Sequence, residues 1–402
     1  MGTLFNIVGC ECSKDPSNKI KRNNTISNVN PVRVSDFSSS EMIFSTIIPR
    51  EIYKDQPKRS FSLTKNDLKK KNYTNKDKIF EKYTKICILG KNNYNIVYKV
   101  NNKLSNKLQA MKKILKAKVE NAEDTKHIIN SIFILRNLKY DNLNKLYEFY
   151  EDEKYFYLIN DLCEETSLDK ILNEKTVLCE FIVKYIMYRI FQVVNYLHKQ
   201  NIIHGDIKIT NIGFMYKEKY KNRNDIKIPI KDLIEEVCDD ADLQQELLRT
   251  SNYEDLSFKA RKYIHNLSKY EIKLLDCWTQ EIFIKNLVDY DNSDIFLNIN
   301  YYSPELFDGC ITKERDEWAC GILMFKLLNG DYPFEGDNKD ELVNDIIKAD
   351  ISEEIYDLKV SNDCKDLLKK LLEKNHDKRI VVGDCLKHNF FKKGAKFRIS
   401  QN

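Results

Sequence analysis

Apolar positions divide the 402-residue chain into a stretch without period and a long patterned body. Residues 13 to 80 are rich in Ser, Asn and Lys, carry Pro16, Pro31, Pro49 and Pro57, and sustain neither a two-residue nor a 3.6-residue repeat, which predicts a flexible tether. From about residue 81 short apolar runs begin. Ile86–Gly90, Ile96–Val100 and Leu108–Ile114 read as three strands, and Leu146–Tyr150 and Tyr155–Ile159 as two more. Between the two groups, Ile128, Ile132, Leu135 and Leu138 recur at spacings of three and four, predicting a helix near 121–138. Further helices are predicted near 168–174 and 179–200, from Asp232 to Arg249 within a mostly charged stretch at about 216–270, and from Asp316 to Leu328.

Charge sharpens the division. The net charge is +5, but residues 13–80 hold 15 Lys or Arg against 7 Asp or Glu, so that segment carries +8 and the other 334 residues about −3. A basic leader on a near-neutral body makes no case for nucleic-acid binding. Eleven cysteines, scattered without C-x-x-C pairs, fit a reducing compartment, and no apolar run approaches the roughly 18 residues needed to span a bilayer. The expected location is therefore the cytoplasm, with any membrane contact made through an anchor. Met1-Gly2-Thr3-Leu4-Phe5-Asn6 offers the glycine that N-myristoylation requires, with Asn6 where the pattern asks for Ser or Thr. One acyl chain binds membranes only marginally, so Cys10 and Cys12 as palmitoylation sites, or Lys69-Lys70-Lys71 against anionic lipid, would have to add to it.

The candidate chemistry centres on His204-Gly205-Asp206-Ile207-Lys208-Ile209-Thr210-Asn211, which sets an acid, a cation and an amide at fixed offsets. This matches H-x-D-[IL]-x-x-x-N, a loop in which Asp accepts a hydroxyl proton and Asn holds magnesium. Its companions lie on both sides. Gly90-Lys91-Asn92-Asn93-Tyr94-Asn95-Ile96-Val97 stands where a glycine-rich phosphate lid belongs but keeps one of its three glycines. Ala110-Met111-Lys112 matches the V-A-I-K strand, and Asp276-Cys277-Trp278 stands for D-F-G, 70 positions after Asp206. Tyr301-Tyr302-Ser303-Pro304-Glu305 resembles the A-P-E motif, and Lys378-Arg379-Ile380 supplies an arginine.

Together these residues resemble the eukaryotic protein kinases over about 82–392, most closely the calcium-dependent and calmodulin-dependent Ser/Thr branch. The resemblance implies an α+β, two-lobed fold: a small β-rich N-lobe with one major helix at about 81–160, a larger, mostly helical C-lobe at about 164–392, an insertion at about 216–270, and a tail at 393–402. It implies ATP and magnesium as cofactors and a protein as substrate. Asp206 would be the base and Lys208 would neutralise the γ-phosphate. Gly90, Val97, Ala110, Lys112, Asp161 and Cys163 would line the nucleotide site, with Asn211 and Asp276 on the metal. Asn160 falls near the gatekeeper position, and Arg379 would pair with Glu305. No EF-hand loop follows before Asn402, so calcium sensing is not expected within this sequence.

Several positions depart from the family pattern. Ser131 falls where a helix glutamate would fix Lys112, and Asn92 and Asn95 replace lid glycines. Asn298-Ile299 replaces Gly-Thr, Cys277-Trp278 replaces Phe-Gly, and Gly205 replaces an arginine that grips an activation-loop phosphate. These favour a second possibility, a pseudokinase acting as a nucleotide-binding scaffold or allosteric partner. The 216–270 segment is expected to protrude between two strands, as a docking site or a disordered bulge. Nothing in the sequence sets the oligomeric state.

Overall fold

The computed structural model describes residues 76–91, 95–116, 132, 135–163, 167–172, 176–221, 227–277 and 299–394. The expected anchor at Gly2, Cys10 and Cys12, most of the basic leader and of the 121–138 helix, and Asn92, Ser131, Trp278 and Asn298 lie outside them.

A short helix α1 (Lys76–Lys82) leads into β1 (Tyr83–Lys91), β2 (Asn95–Asn102), β3 (Leu108–Leu115), β4 (Leu146–Glu151) and β5 (Tyr155–Asn160). They form one antiparallel sheet in the order β1-β2-β3-β5-β4. Period-two alternation buries both faces of its centre. Tyr157 and Ile159 of β5 join Val100, Met111 and Ile79 of α1 on one side, while Phe156 and Leu158 join Ile114, Leu146 and Ile132 on the other.

Beyond the sheet, α2 (Leu168–Ile171) is shorter than the periodicity suggests, and α3 (Glu180–Lys199) runs through the large core with twelve buried residues. A helix apolar on nearly every side is the expected sequence for a central position. After α3 come the candidate loop and a hairpin of β6 (Ile212–Tyr216) with β7 (Tyr270–Leu274).

The segment between these two strands differs from the protruding bulge expected of it. It folds into α4 (Ile230–Asp239), α5 (Ala241–Arg249) and α6 (Phe258–Ser268). Leu233, Ile234, Val237, Leu243, Leu247, Tyr263 and Leu267, at spacings of three and four within each helix, enter the same core as α3. Asp240 caps α5 through the Leu243 N–H at 2.9 Å, and Ser257 caps α6 through the Ala260 N–H at 3.1 Å. The helical spacing over 232–249 thus holds as α4 and α5, while the high charge density belongs to the polar faces of amphipathic helices rather than to a protrusion.

Two latches organise the remaining helices. Glu305, in α7 (Pro304–Phe307), takes both terminal nitrogens of Arg379 at 2.7 and 2.9 Å, and the guanidinium also donates to the Glu314 carbonyl. Such a buried pair stabilises only while both charges and their hydrogen bonds are present. The second latch is Asp316 on α8 (Arg315–Asn329), 1% exposed, which accepts hydrogen bonds from the backbone N–H groups of His204 at 2.8 Å and Gly205 at 2.9 Å and from His198 Nε2 at 2.9 Å. The Arg315 guanidinium adds a bond to the Gly205 carbonyl at 3.2 Å. Helix α8 thereby sets where the candidate loop begins.

Burial alone would pull the His198 pKa down, but its bonds to Asp316 and Glu317 outweigh that and push it up to about 9. A folded pKa above the ordinary 6.5 makes this imidazolium stabilise the protein fully below pH 6.5, with the contribution lost as pH rises through about 9. Chemical denaturation should therefore show stability falling over that window by up to about 3 kcal/mol relative to His198→Gln. Parallel curves for the two proteins would contradict the ion pair.

Candidate active site

The cleft between sheet and helices gathers residues from four places in the sequence. Lys112 lies in the middle of β3, paired in register with Val97 of β2 and Leu158 of β5, so its neighbours fix its direction. Its Nζ meets Asp276 Oδ1 at 2.9 Å across the cleft, with the Lys112 side chain 11% exposed and that of Asp276 38% exposed. Ala110 lies opposite Asn160 at the end of β5, and Gly90 opposite Val97 near the tip of the β1–β2 hairpin. Lys170 of α2 donates to the Leu89 carbonyl at 3.0 Å, a direct tie between β1 and the helical lobe.

Below, the catalytic-type loop is held by its own side chains. Gly205 adopts φ 77°, a left-handed conformation glycine takes without penalty, and so turns the chain between His204 and Asp206. Asp206 is buried, with Lys208 Nζ at 3.0 Å from Oδ1 and the Asn211 side-chain amide donating to both its carbonyl and its carboxylate. Ile299, a core residue, brings no hydroxyl to this carboxylate, whose polar side-chain partners among the described residues are Lys208 and Asn211. Tyr301 adds a third anchor to the loop by accepting from the Ile209 N–H at 3.3 Å.

His204 joins the loop to Asp276. Its Nε2 lies 3.1 Å from the Leu275 carbonyl, which can only accept, and its Nδ1 lies 3.3 Å from the Asp206 N–H, which can only donate. The ring is therefore neutral with its proton on Nε2, and burial lowers its pKa accordingly. Leu275 N–H also donates to the Asn211 carbonyl at 2.8 Å, so the residue before Asp276 is pinned from both sides. Asp276 itself takes φ 53°. Aspartate is among the few residues enriched there, and the turn sends its carboxylate into the cleft.

The two carboxylates are electrostatically different. Burial pushes the Asp206 pKa up to about 6, the charge of Asp276 adds to the rise, and Lys208 and Asn211 oppose it. Partial desolvation acts on Asp276 in the same sense, but the charge and hydrogen bond of Lys112, with the charge of Lys208, outweigh it and the net shift is downward. One acid is thus poised near neutrality while the other stays ionised, a separation suited to a base beside a cation ligand.

At the hinge, the Asp161 carboxylate turns away from the cleft. It accepts from Tyr147 Oη at 2.6 Å and the Lys145 N–H at 3.2 Å, and lies 3.6 Å from Lys273 Nζ, so it ties the hinge to β7. Any part of Asp161 in ligand recognition falls to its backbone. Cys163 comes close to β6 because Gly213 has no side chain: a Cβ there would sit 2.5 Å from Cys163 Sγ. The sequence patterns did not single out His198, Asp316 as the loop's anchor, the neutral His204 bridge or Gly213.

Asn211 and Asp276 together offer oxygen donors only. The Asn211 amide nitrogen is committed to Asp206, which leaves its carbonyl oxygen, and one Asp276 oxygen remains beyond the Lys112 contact. A hard divalent cation that keeps waters and phosphate oxygens in its shell fits this sparse set. Among the described residues no group of three or more His, Cys, Asp or Glu could hold a metal, and no helix is long and apolar enough to cross a membrane.

The model of the protein kinase domain matches residues 83–233 and 268–391 and leaves 234–267, most of the helical insertion, unmatched. Calcium-dependent protein kinase 5 of Plasmodium falciparum is 30% identical over 76% of this chain and 44% of its own length. Calcium-dependent protein kinase 3 of Plasmodium yoelii yoelii is 31% identical over 76% and 47%. Calcium-dependent protein kinase 4 of Plasmodium falciparum is 28% identical over 78% and 50%, so the chain spans about half the length of the curated relatives it matches. A crystal structure of Rad53 1-466 in complex with AMP-PNP aligns with a TM-score of 0.55 at 18% identity, over 78% of this chain and 66% of that one, a likeness of fold. The chain belongs to the protein kinase domain family.

Proposed function

We propose that this chain is an ATP- and magnesium-dependent protein kinase that phosphorylates Ser or Thr of protein substrates. The observation that carries the reading is the convergence in one cleft of the Lys112–Asp276 pair at 2.9 Å with Asp206, Lys208 and Asn211 in mutual contact. Lys112 binds the α and β phosphates, with Gly90, Val97, Ala110 and the backbone of Asp161 and Cys163 around the nucleotide. Asp206 orients the substrate hydroxyl and takes its proton. Lys208 offsets the charge that builds on the γ-phosphoryl group. Asn211 and Asp276 hold magnesium, which when bound neutralises phosphate charge. Phosphoryl transfer depends chiefly on position and electrostatics, so these groups suffice for it despite the departures at Gly205 and Cys277.

The domain division proposed is a leader at 1–80, a kinase domain at 81–392 with its insertion at about 216–270, and a tail at 393–402. Acylation at Gly2, with Cys10 or Cys12, would place the kinase at the cytoplasmic face of a membrane.

Two measurements check these assignments. Incubation of the purified chain with radiolabelled ATP, magnesium and a degenerate peptide library should yield phosphoserine or phosphothreonine, with kcat/KM falling about tenfold per pH unit below about pH 6 as Asp206 protonates. Nucleotide binding without any transfer would instead identify a pseudokinase. In cells, Gly2→Ala should move the protein from the membrane fraction to the soluble one, and a variant that stayed membrane-bound would rule out the myristoyl anchor.

A further inference from the structure

The helical insertion brings one of its cysteines against a cysteine of the central helix. Cys179, the N-cap residue of α3, donates its backbone N–H to the Sγ of Cys238, in the last turn of α4, at 3.4 Å. Both residues are half-buried. Cys320, Cys364 and Cys385 are fully buried, and burial pushes each of their thiols up, which makes them inert.

We propose that Cys179 and Cys238 are an oxidative modification site, a thiol pair that hydrogen peroxide converts to a reversible disulfide joining the insertion to α3. The residues 234–267 that lie outside the family match contain Cys238, so the device belongs to this chain's own elaboration. Cys238 is the attacking thiol. Its sulfur accepts the Cys179 backbone N–H at 3.4 Å, a hydrogen bond that favours the thiolate over the thiol.

The chemistry balances with one peroxide. The Cys238 thiolate attacks one peroxide oxygen, the O–O bond breaks, and the leaving hydroxide is protonated to water, giving a sulfenic acid. The Cys179 sulfur then attacks the Cys238 sulfur, the S–S bond forms as the S–O bond breaks, and the departing oxygen leaves as a second water with the Cys179 thiol proton. Two thiols are oxidised to one disulfide while one peroxide is reduced to two waters. The surrounding contacts give the bond a firm setting. Leu178 N–H is fixed to the Leu327 carbonyl at 2.8 Å, the Cys238 carbonyl accepts from Gln244 at 2.9 Å, and Tyr263 Oη donates to the Leu233 carbonyl at 3.0 Å. The covalent ring between positions 179 and 238 encloses α3, the catalytic-type loop and β6, so the site lies where oxidation restrains the segment carrying Asp206.

The full-length chain, reduced and then treated with a stoichiometric amount of hydrogen peroxide, is alkylated under native conditions, digested and examined by mass spectrometry. The expected result is a peptide pair linked through Cys179 and Cys238, lighter by two hydrogens than its parts, released by dithiothreitol, with a thermal midpoint that rises on oxidation and returns on reduction. Cys238→Ser should abolish both the link and the shift while leaving Cys179 open to alkylation. Independent alkylation of both thiols after peroxide, or a disulfide from either to another cysteine in its place, would overturn the proposal.

Discussion

Asp316, at the start of α8, is buried and gathers the N–H groups of His204 and Gly205 together with the imidazole of His198. Burial disfavours its ionisation, yet the His198 charge and bond and the two N–H donors hold its pKa below the usual carboxylate range. Three elements thus meet on one anion: the end of α3, the entry to the loop, and α8. From there the geometry propagates by contact. His204 reaches Leu275, Leu275 fixes Asp276, and Asp276 meets Lys112 on the other lobe. A protein that places an acid and a cation within 3 Å of each other in a cleft needs such a chain of fixed contacts, because each unpaired member would be a buried charge.

The departures from the family pattern look different once these contacts are known. Gly205 supplies a left-handed turn that an arginine would strain. Ile299 brings no hydroxyl but completes the core under the loop, and Lys208 and Asn211 hold Asp206 without it. Asp276 gives Lys112 an acidic partner whatever stands at position 131. Phosphoryl transfer asks chiefly for position and charge, and neither depends on every motif letter.

Much of this was legible in the sequence, for reasons that can be stated. The five strands follow from period-two alternation over short runs, and α3 and α8 from long apolar stretches whose burial leaves them little polar surface. The Arg379–Glu305 latch was readable because its partners sit in recognisable motifs. Other features were hidden. The spacing over 232–249 revealed α4 and α5 as helices, but their many charged positions pointed to a solvated bulge, and neither α6 nor the packing of Leu233, Val237, Leu243 and Tyr263 onto the core could be read. The partnership of His198 with Asp316 spans 118 positions, and no local pattern encodes a contact at that separation. Asp161 illustrates a subtler limit: its place at the hinge could be read, but the direction of its side chain depends on Tyr147 and Lys273, which only the folded sheet and hairpin bring to it.

The central claim is that the loop anchored by Asp316 is a working catalytic loop with Asp206 as its base. The most direct measurement compares turnover by the wild-type chain and Asp206→Asn, with Mg·ATP affinity measured on both. The account predicts similar nucleotide binding and a fall in kcat of at least about 10²-fold in the variant, the low end of what a positioned base contributes. Equal turnover by the two proteins would contradict it.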